Sequence, residues 1–353
     1  MSYPENEEHG LGPLRVIDAA LNRAAEGLRV VEDYARLILN DSHLTERTKS
    51  LRHRLFVASQ SFQGEHRVAS RDTVNDVGIE ISTETEFHRE STTGIVQANL
   101  SRVQQALRTI EEYSKLVLPN AAQAIEPLRY ESYTLEKAIL TTVMSLTNLK
   151  SSRLYVLIDG RGSSTEFAEL VGELISAGVD IFQLRDKELT SRQLLERGKI
   201  LNDLCRPQNV RWIMNDRADL AMAAGADGVH VGQDDLPVAA ARRVVGPTKL
   251  IGVSTHSVEQ ARAAVIEGAN YIGVGPIFHS QTKAFKKTLG LELAAQVAQE
   301  ITLPAFAIGG INLDNVDSVL ETGISRITIK GAIVDAAHPR MVAEQIKRKL
   351  THQ

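Results

Sequence analysis

From Leu154 to Lys187 the chain reads LYVLIDGRGSSTEFAELVGELISAGVDIFQLRDK. A short apolar run, 154–159, leads into a segment with helical spacing, 167–177. Gly178 stops that helix, and a second apolar run, 181–187, follows. Strand, helix, glycine stop and strand together read as a parallel βαβ unit. Glycine belongs at the stop because the residue past a helix end commonly takes a left-handed conformation.

The same grammar continues to the C-terminus. Eight apolar runs stand at 154–159, 181–187, 211–216, 228–233, 250–255, 271–278, 305–310 and 326–333. Helical segments separate them, among them 191–204, 258–267 and 291–300. Glycines 225, 268 and 323 repeat the stop at Gly178. Eight such units in about 200 residues predict a (β/α)8 TIM barrel, over 149–353. An open doubly wound sheet is the competing arrangement, and the uniform repeat favours closure.

The preceding half, 1–148, has a different pattern. Leu14, Ile17, Leu21, Ala24, Leu28, Val31, Ala35 and Ile38 recur in steps of three and four, one face of a helix. Val96, Leu100, Val103, Leu107, Ile110 and Val117 do the same. Sliding 17–39 onto 96–118 aligns Arg23 with Arg102, Arg29 with Arg108, Glu32 with Glu111 and Tyr34 with Tyr113. Matched polar positions of this kind predict a duplicated helical hairpin and an all-α domain. Between the copies lies a polar stretch, 60–94, in which 71–78 reads as a loop with a glycine turn, and 147–152 reads as the linker to the barrel.

The chain has 353 residues, which suggests about two domains. Its apolar fraction of 43% and charged fraction of 24% are those of a globular protein. A net charge of −4 supplies no basic field for nucleic acid or an acidic membrane. One cysteine, Cys205, forms no intrachain disulfide. The acidic first ten residues are unlike a signal peptide. No apolar stretch approaches the roughly 20 residues of a spanning helix. A cytoplasmic protein is expected, with the oligomeric state open, a homo-oligomer included.

In this fold the chemistry gathers at the C-terminal ends of the strands, and the polar residues stand there. The second run ends in Gln183-Leu184-Arg185-Asp186-Lys187. Alternation sends Gln183, Arg185 and Lys187 to one side and Leu184 and Asp186 to the other. In a closed barrel that side is either the interior or the helix layer; two cations facing inward call for an anion, with Arg185 suited to a bidentate phosphate contact and Lys187 to a point charge. Salt bridges to neighbouring carboxylates are the alternative. Asn215-Asp216 ends the third run and Asp234-Asp235 follows the fourth. Two carboxylates beside a diphosphate suit Mg²⁺; the residues alone do not separate Asp234 from Asp235, and Asp216 has a helix cap as its competing role. Ser254 and His256 end the fifth run. Ser280, Gln281, Thr282 and Lys283 form a loop after the sixth, and Gly309-Gly310 offers N–H groups to a phosphate after the seventh. His230, inside a run, reads as a packed, hydrogen-bonded histidine.

Taken in order, the motifs QLRDK, ND, HVGQDD, GVSTH, GPIF-x-S-x-TK and IGGI resemble thiamine phosphate synthase from about Arg153 onward. That family joins a hydroxymethylpyrimidine diphosphate to a thiazole phosphate and releases pyrophosphate. The resemblance implies that Gln183 and Ser254 contact the pyrimidine. It gives the diphosphate to Arg185, Lys187, Asn215 and Lys283, Mg²⁺ to Asp216 and Asp235, and the thiazole phosphate to Ser280, Thr282 and Gly310. Leu184, Asp186 and Gln281 lie within the matched motifs and join the expected binding set. Arg185, Lys187, Ser254 and Lys283 are the expected catalytic groups.

The chain departs from the family pattern at His279, usually proline, and Ser280, usually threonine. It departs again at Lys330-Gly331, where isoleucine and serine are usual; Lys330 brings a charge and Gly331 an N–H to the expected thiazole phosphate site. A thiazole tautomerase and a non-catalytic precursor sensor are the alternative functions. The helical half resembles N-terminal regions fused to some synthases and linked to phosphorylation of hydroxymethylpyrimidine phosphate. Asn22, Arg23, Arg29, Glu32, Asp33, Arg71, Asp72 and Asp76 are its candidate polar residues, with helical ion pairs and a docking module as the alternatives.

Overall fold

The computed structural model describes residues 11–62, 64–74, 76–77, 88–279 and 289–351. The chain divides into two compact units, Met1–Leu140 and Thr141–Gln353.

The first unit is helical: α1 (Leu11–Leu37), α2 (Ser42–Ser59), α3 (Gly64–Ala69), α4 (Thr92–Val117) and the start of α5 (Pro119–Asn148). Helices α1 and α4 pack on one another through the two aligned apolar faces. Leu21, Leu28 and Val31 are buried, and so are their counterparts Leu100, Leu107 and Ile110. Gly27 lets the helices approach, since a Cβ there would lie 2.7 Å from Val103 Cγ2.

The repeat extends to charge. Buried Glu32 meets Arg29 at 3.4 Å on its own helix and Arg52 of α2 at 2.8 Å. Buried Glu111 meets Arg108 at 2.7 Å on its own helix and Arg129 of α5 at 2.8 Å. One constellation thus occurs twice, with the second arginine always drawn from the next long helix. The copies differ at Asp18, which is buried and holds Arg71 at 2.5 Å and Arg67 at 3.1 Å; the aligned position is Gln97. Through Arg67, Asp18 anchors α3, a helix within the polar stretch between the copies.

Arg129 and Glu111 are both largely out of water; Glu111 also holds Arg108, but removing Glu111 leaves Arg129 buried without a carboxylate among the described residues. Glu111→Ala is expected to destabilise the helical unit by about 3 kcal/mol, read as a shift of its unfolding transition in the full chain. A shift as small as that of a substitution at an exposed residue would show that Arg129 finds another partner.

The second unit is a closed barrel of eight parallel strands in sequence order. It comprises β1 (Leu154–Ile158), α6 (Ser164–Ser176), β2 (Ile181–Leu184), α7 (Ser191–Cys205), β3 (Arg211–Asn215), α8 (Ala218–Ala224), β4 (Gly228–Val231) and α9 (Val238–Val245). There follow β5 (Leu250–Thr255), α10 (Val258–Glu267), β6 (Tyr271–Val274), α11 (Gly290–Glu300), β7 (Ala305–Ile308), α12 (Val316–Leu320), β8 (Ile327–Ile329), α13 (Gly331–Val334) and α14 (Pro339–Thr351). All eight expected strands exist, and the four stop glycines have positive φ. The fifth run coincides with β5; the others extend too far at their C-terminal ends, because ladder pairing stops where the polar tails turn out into loops. The last run covers both β8 and the short helix α13, with Lys330 between them.

The floor of the barrel is apolar. Leu149, Ile181, Ile213 and Leu250 cluster with Tyr155, Tyr271 and Phe306. The end of α5 belongs to this unit. Ser145 Oγ accepts from Asn270 Nδ2 at 3.2 Å, and the Asn148 carbonyl accepts from Arg211 at 2.8 Å. The stretch 147–152 is therefore helix end and barrel floor rather than a free linker. Among the described residues, no helix is long and apolar enough to cross a membrane.

Candidate active site at the barrel mouth

A cavity of about 890 Å³ opens at the C-terminal ends of the strands. Its walls include Gln183, Arg185, Lys187, Asn215, Asp216, Asp235, Ser254, Gly310, Lys330 and Gly331. These are sites expected from sequence, contributed by separate strands. Leu184 is buried away from the cavity, and Asp186 does not line it either. Asp186 braces the loop after β2 instead. Its carboxylate accepts from the N–H groups of Gly160, Glu188 and Leu189 at 2.8–3.0 Å. Burial opposes its charge, but these three donors outweigh that and hold its pKa below the usual value. Ser280, Gln281, Thr282 and Lys283 lie outside the described residues.

Among the described residues, Arg185 and Lys187 form no ion pair with a carboxylate. The salt-bridge alternative thus has no support there, and two cations stand ready for an anion. Asp216 faces Asp235, not Asp234: Asp235 is the carboxylate close enough to shift its titration, and Asp235 also accepts from the Gly232 N–H at 2.8 Å. Asp216 is not the cap of α8, whose N-cap position is Arg217. Its backbone has φ 58°, the left-handed region, which is costly for a residue with a side chain. Its N–H is held by the His230 carbonyl at 2.8 Å.

Burial first, then the hydrogen bond and charge of Asp235, push the Asp216 pKa up to about 6, against the pull of Arg185 and Lys187. Two crowded carboxylates in an all-oxygen setting are a donor set that fits Mg²⁺, which needs only one or two protein oxygens when phosphate supplies the rest. No cluster of three or more His, Cys, Asp or Glu side chains with metal-binding geometry occurs among the described residues.

The crowding carries a stability cost with a defined sign. The folded pKa of Asp216 lies above its unfolded value, so its favourable contribution is complete below the unfolded value and is lost as pH rises through about 6. Asp235→Asn removes the like charge. With metal chelated at pH 7.5, this variant is expected to melt about 2–4 °C above wild type, with the gap closing toward pH 4. An equal or lower melting temperature at pH 7.5 would show that the carboxylates do not repel.

Gly309 and Gly310 follow β7 with φ 105° and 62°. A Cβ at Gly310 would lie 2.3 Å from the His279 carbonyl oxygen, and one at Gly309 2.6 Å from Pro276 Cβ. Only glycine lets the backbone line this side of the cavity. Lys330 also reaches Asp159, 3.4 Å away. His256 Nδ1 donates to the Gly275 carbonyl at 2.5 Å, which fixes its ring.

Beneath the mouth lies a layer missed in the sequence: Tyr155, Tyr271, Phe306 and Thr328 also line the cavity. The tyrosines and Phe306 meet edge to face, with centroids 5.4–5.9 Å apart. The available signal was spacing. Tyr271 stands two residues before Gly273, and Gly252 on the paired strand leaves its ring room; a Cβ there would lie 2.1 Å from Tyr271 Cζ. His230 is the packed, hydrogen-bonded residue expected. Burial above all pushes its pKa down to about 4, so it is neutral at pH 7.

Residues 154–333 match the thiamine monophosphate synthase family and residues 15–138 the ThiD2 family. A thiamine-phosphate synthase of Rhodopirellula baltica is 44% identical, covering 96% of this chain and 94% of its own length. One from Synechocystis is 40% identical, covering 96% of each. The solved thiamine phosphate pyrophosphorylase of Pyrococcus furiosus is 34% identical, with a TM-score of 0.52, and spans 56% of this chain and 95% of its own. Its coverage corresponds in extent to a barrel without the helical unit. With the eight-stranded barrel, the ordered motifs at its mouth and full-length relatives in agreement, the chain belongs to the thiamine monophosphate synthase family.

Proposed function

We propose that the barrel condenses 4-amino-2-methyl-5-(diphosphooxymethyl)pyrimidine with 4-methyl-5-(2-phosphoethyl)thiazole to give thiamine phosphate and pyrophosphate, or with its carboxylated tautomer to give the same products and CO2. The observation that carries this is the juxtaposition of Arg185 and Lys187, without carboxylate partners among the described residues, and the Asp216–Asp235 pair in one cavity. Gln183 and Ser254 contact the pyrimidine. Arg185, Lys187, Asn215 and Lys283 hold the diphosphate. Ser280, Gln281, Thr282 and Gly310, with Lys330 and Gly331, take the thiazole phosphate. Asp216 and Asp235 would hold Mg²⁺, and when bound it would supply positive charge to the leaving pyrophosphate.

The C–O bond to the diphosphate breaks first, and its electron pair leaves with pyrophosphate. The pyrimidine ring stabilises the methylene cation that remains. The thiazole nitrogen then gives its lone pair to form the new C–N bond. No proton has to be removed from that nitrogen, in keeping with a mouth in which His230 and His256 are held in hydrogen bonds. Arg185, Lys187 and Lys283 steady the leaving group, while the walls align the two rings. Positioning of this kind is worth about 7–11 kcal/mol at most. The test is to mix purified protein with both substrates and Mg²⁺ and follow thiamine phosphate and pyrophosphate. No product under any divalent metal sinks the synthase reading in favour of a tautomerase or a sensor.

For the helical unit, we propose phosphorylation of hydroxymethylpyrimidine phosphate by a nucleoside triphosphate, the step that supplies the diphosphate to the barrel. The support is the match to the ThiD2 family. Of the candidate residues, Arg29, Glu32, Asp33 and Arg71 are engaged in ion pairs. The Asp72 carbonyl accepts from Arg15, and Asn22 hydrogen-bonds to Asp18. Coupled assay of the full chain with hydroxymethylpyrimidine phosphate and ATP decides between a kinase and a docking module: only the kinase yields diphosphate. The protein is proposed to work in the cytoplasm.

A further inference from the structure

Four hydrogen bonds join Gln183 to Ser254 through the barrel interior. Gln183 Nε2 donates to Tyr155 Oη at 2.8 Å, and the Tyr155 and Tyr271 hydroxyls are 3.0 Å apart. Tyr271 Oη lies 3.2 Å from His230 Nδ1, and His230 Nε2 lies 2.9 Å from Ser254 Oγ. Tyr155 and Tyr271 are buried to within 1% of full enclosure, and Gln183 is 3% exposed. Burial holds both phenols protonated.

Each hydroxyl has one proton to give, and a neutral imidazole has one N–H. With Tyr155 accepting from Gln183, its own proton goes to Tyr271. Tyr271 then donates to His230 Nδ1, and the imidazole proton sits on Nε2, donating to Ser254. The Ser254 hydroxyl proton is thereby left to the cavity, and Gln183 presents its Oε1 there. Turning the Gln183 amide over reverses every bond in the chain. Gln183 would then present an N–H group and Ser254 only lone pairs. The two ends are therefore locked in opposite senses: one accepts when the other donates.

We propose that His230, as its Nε2–H tautomer, is a positioning residue that fixes Gln183 as acceptor and Ser254 as donor, and so selects an aminopyrimidine over an oxopyrimidine. The inference rests on the proposed contacts of Gln183 and Ser254 with the pyrimidine. A 4-aminopyrimidine offers an N–H donor beside a ring-nitrogen acceptor, the complement of that pair. A 4-oxopyrimidine offers the reverse. Buried polar groups left mismatched are what make such discrimination large. Glycine supports the relay: a Cβ at Gly252 would overlap the Tyr271 ring.

Two measurements test it. In ¹⁵N-histidine spectra of the full chain, with the His230 signal assigned by its absence in His230→Asn, Nε2 is expected to carry the proton at pH 7. A proton on Nδ1 overturns the proposal. In turnover, wild type is expected to favour the 4-amino over the 4-oxo pyrimidine diphosphate by about tenfold or more in kcat/KM. Tyr271→Phe keeps the ring but frees the imidazole to take either tautomer, so this ratio is expected to fall toward unity; Tyr155→Phe, which cuts the relay one link earlier, should lower it too. A ratio unchanged in both variants overturns the proposal, whatever happens to the overall rate. Should wild type turn over neither pyrimidine, the synthase reading fails, and the tautomer still decides whether the relay exists.

Discussion

Asp216→Ala is expected to lower Mg²⁺-dependent formation of thiamine phosphate by about 10³-fold or more, on the order of 4 kcal/mol of transition-state stabilisation. The residue directly follows β3 in a left-handed conformation, half-buried, against Asp235 and near Arg185 and Lys187. That setting is expensive for a carboxylate with only structural work to do. Asp216→Asn keeps the shape and loses the charge, and is expected to fail nearly as badly. The pH dependence has a sign. In the metal-free chain the Asp216 pKa stands near 6, so protons compete with Mg²⁺ below that value and the Mg²⁺ needed for half-activity rises as pH falls from 7 to 5. Steady-state rates across Mg²⁺ concentration and pH provide the check. Wild-type rates in Asp216→Ala at all Mg²⁺ concentrations would show that the pair holds no catalytic metal.

Arg185→Ala is expected to reduce kcat/KM for the pyrimidine diphosphate by about 10²–10³-fold, equivalent to roughly 3–4 kcal/mol. The KM for the thiazole phosphate should move far less. Arg185 sits one alternation past Gln183 on the inward side, at the point where β2 leaves the barrel. Without a carboxylate partner among the described residues, its charge is available to the substrate. Arg185→Lys should recover only part of the loss, because an ammonium lacks the planar fork that grips two phosphate oxygens. A variant impaired mainly toward the thiazole phosphate would exchange the two substrate sites proposed for the mouth.

Much of this protein was legible in local pattern. Period-two apolar runs, helical spacing and glycine stops depend on a few neighbouring residues, so they announced eight βα units and a closed barrel. Alternation set Gln183, Arg185 and Lys187 on one side and Leu184 and Asp186 on the other; the closed barrel made the first side the cavity lining and left Leu184 and Asp186, expected in the binding set, outside it. The helical repeat was equally plain, since Glu32 and Glu111 keep the same spacing to their neighbours.

What sequence could not decide involved contacts made across the fold. Strand ends depend on where the partner strand stops pairing. The helix α3 within a polar stretch exists beside Asp18, about fifty residues away, through Arg67 and Arg71. Nothing in HVGQDD distinguishes Asp234 from Asp235 by itself; the turn at Gly232 brings the latter against Asp216. The relay from Gln183 to Ser254 draws single residues from β1, β2, β4, β5 and β6. The sequence by itself determined the barrel, the helical repeat and the chemical types at the mouth, because each follows from local periodicity. The tertiary structure alone decided which carboxylates meet and which buried hydroxyls connect, because hydrogen bonds and charge pairs act over a few ångströms between residues far apart in the chain.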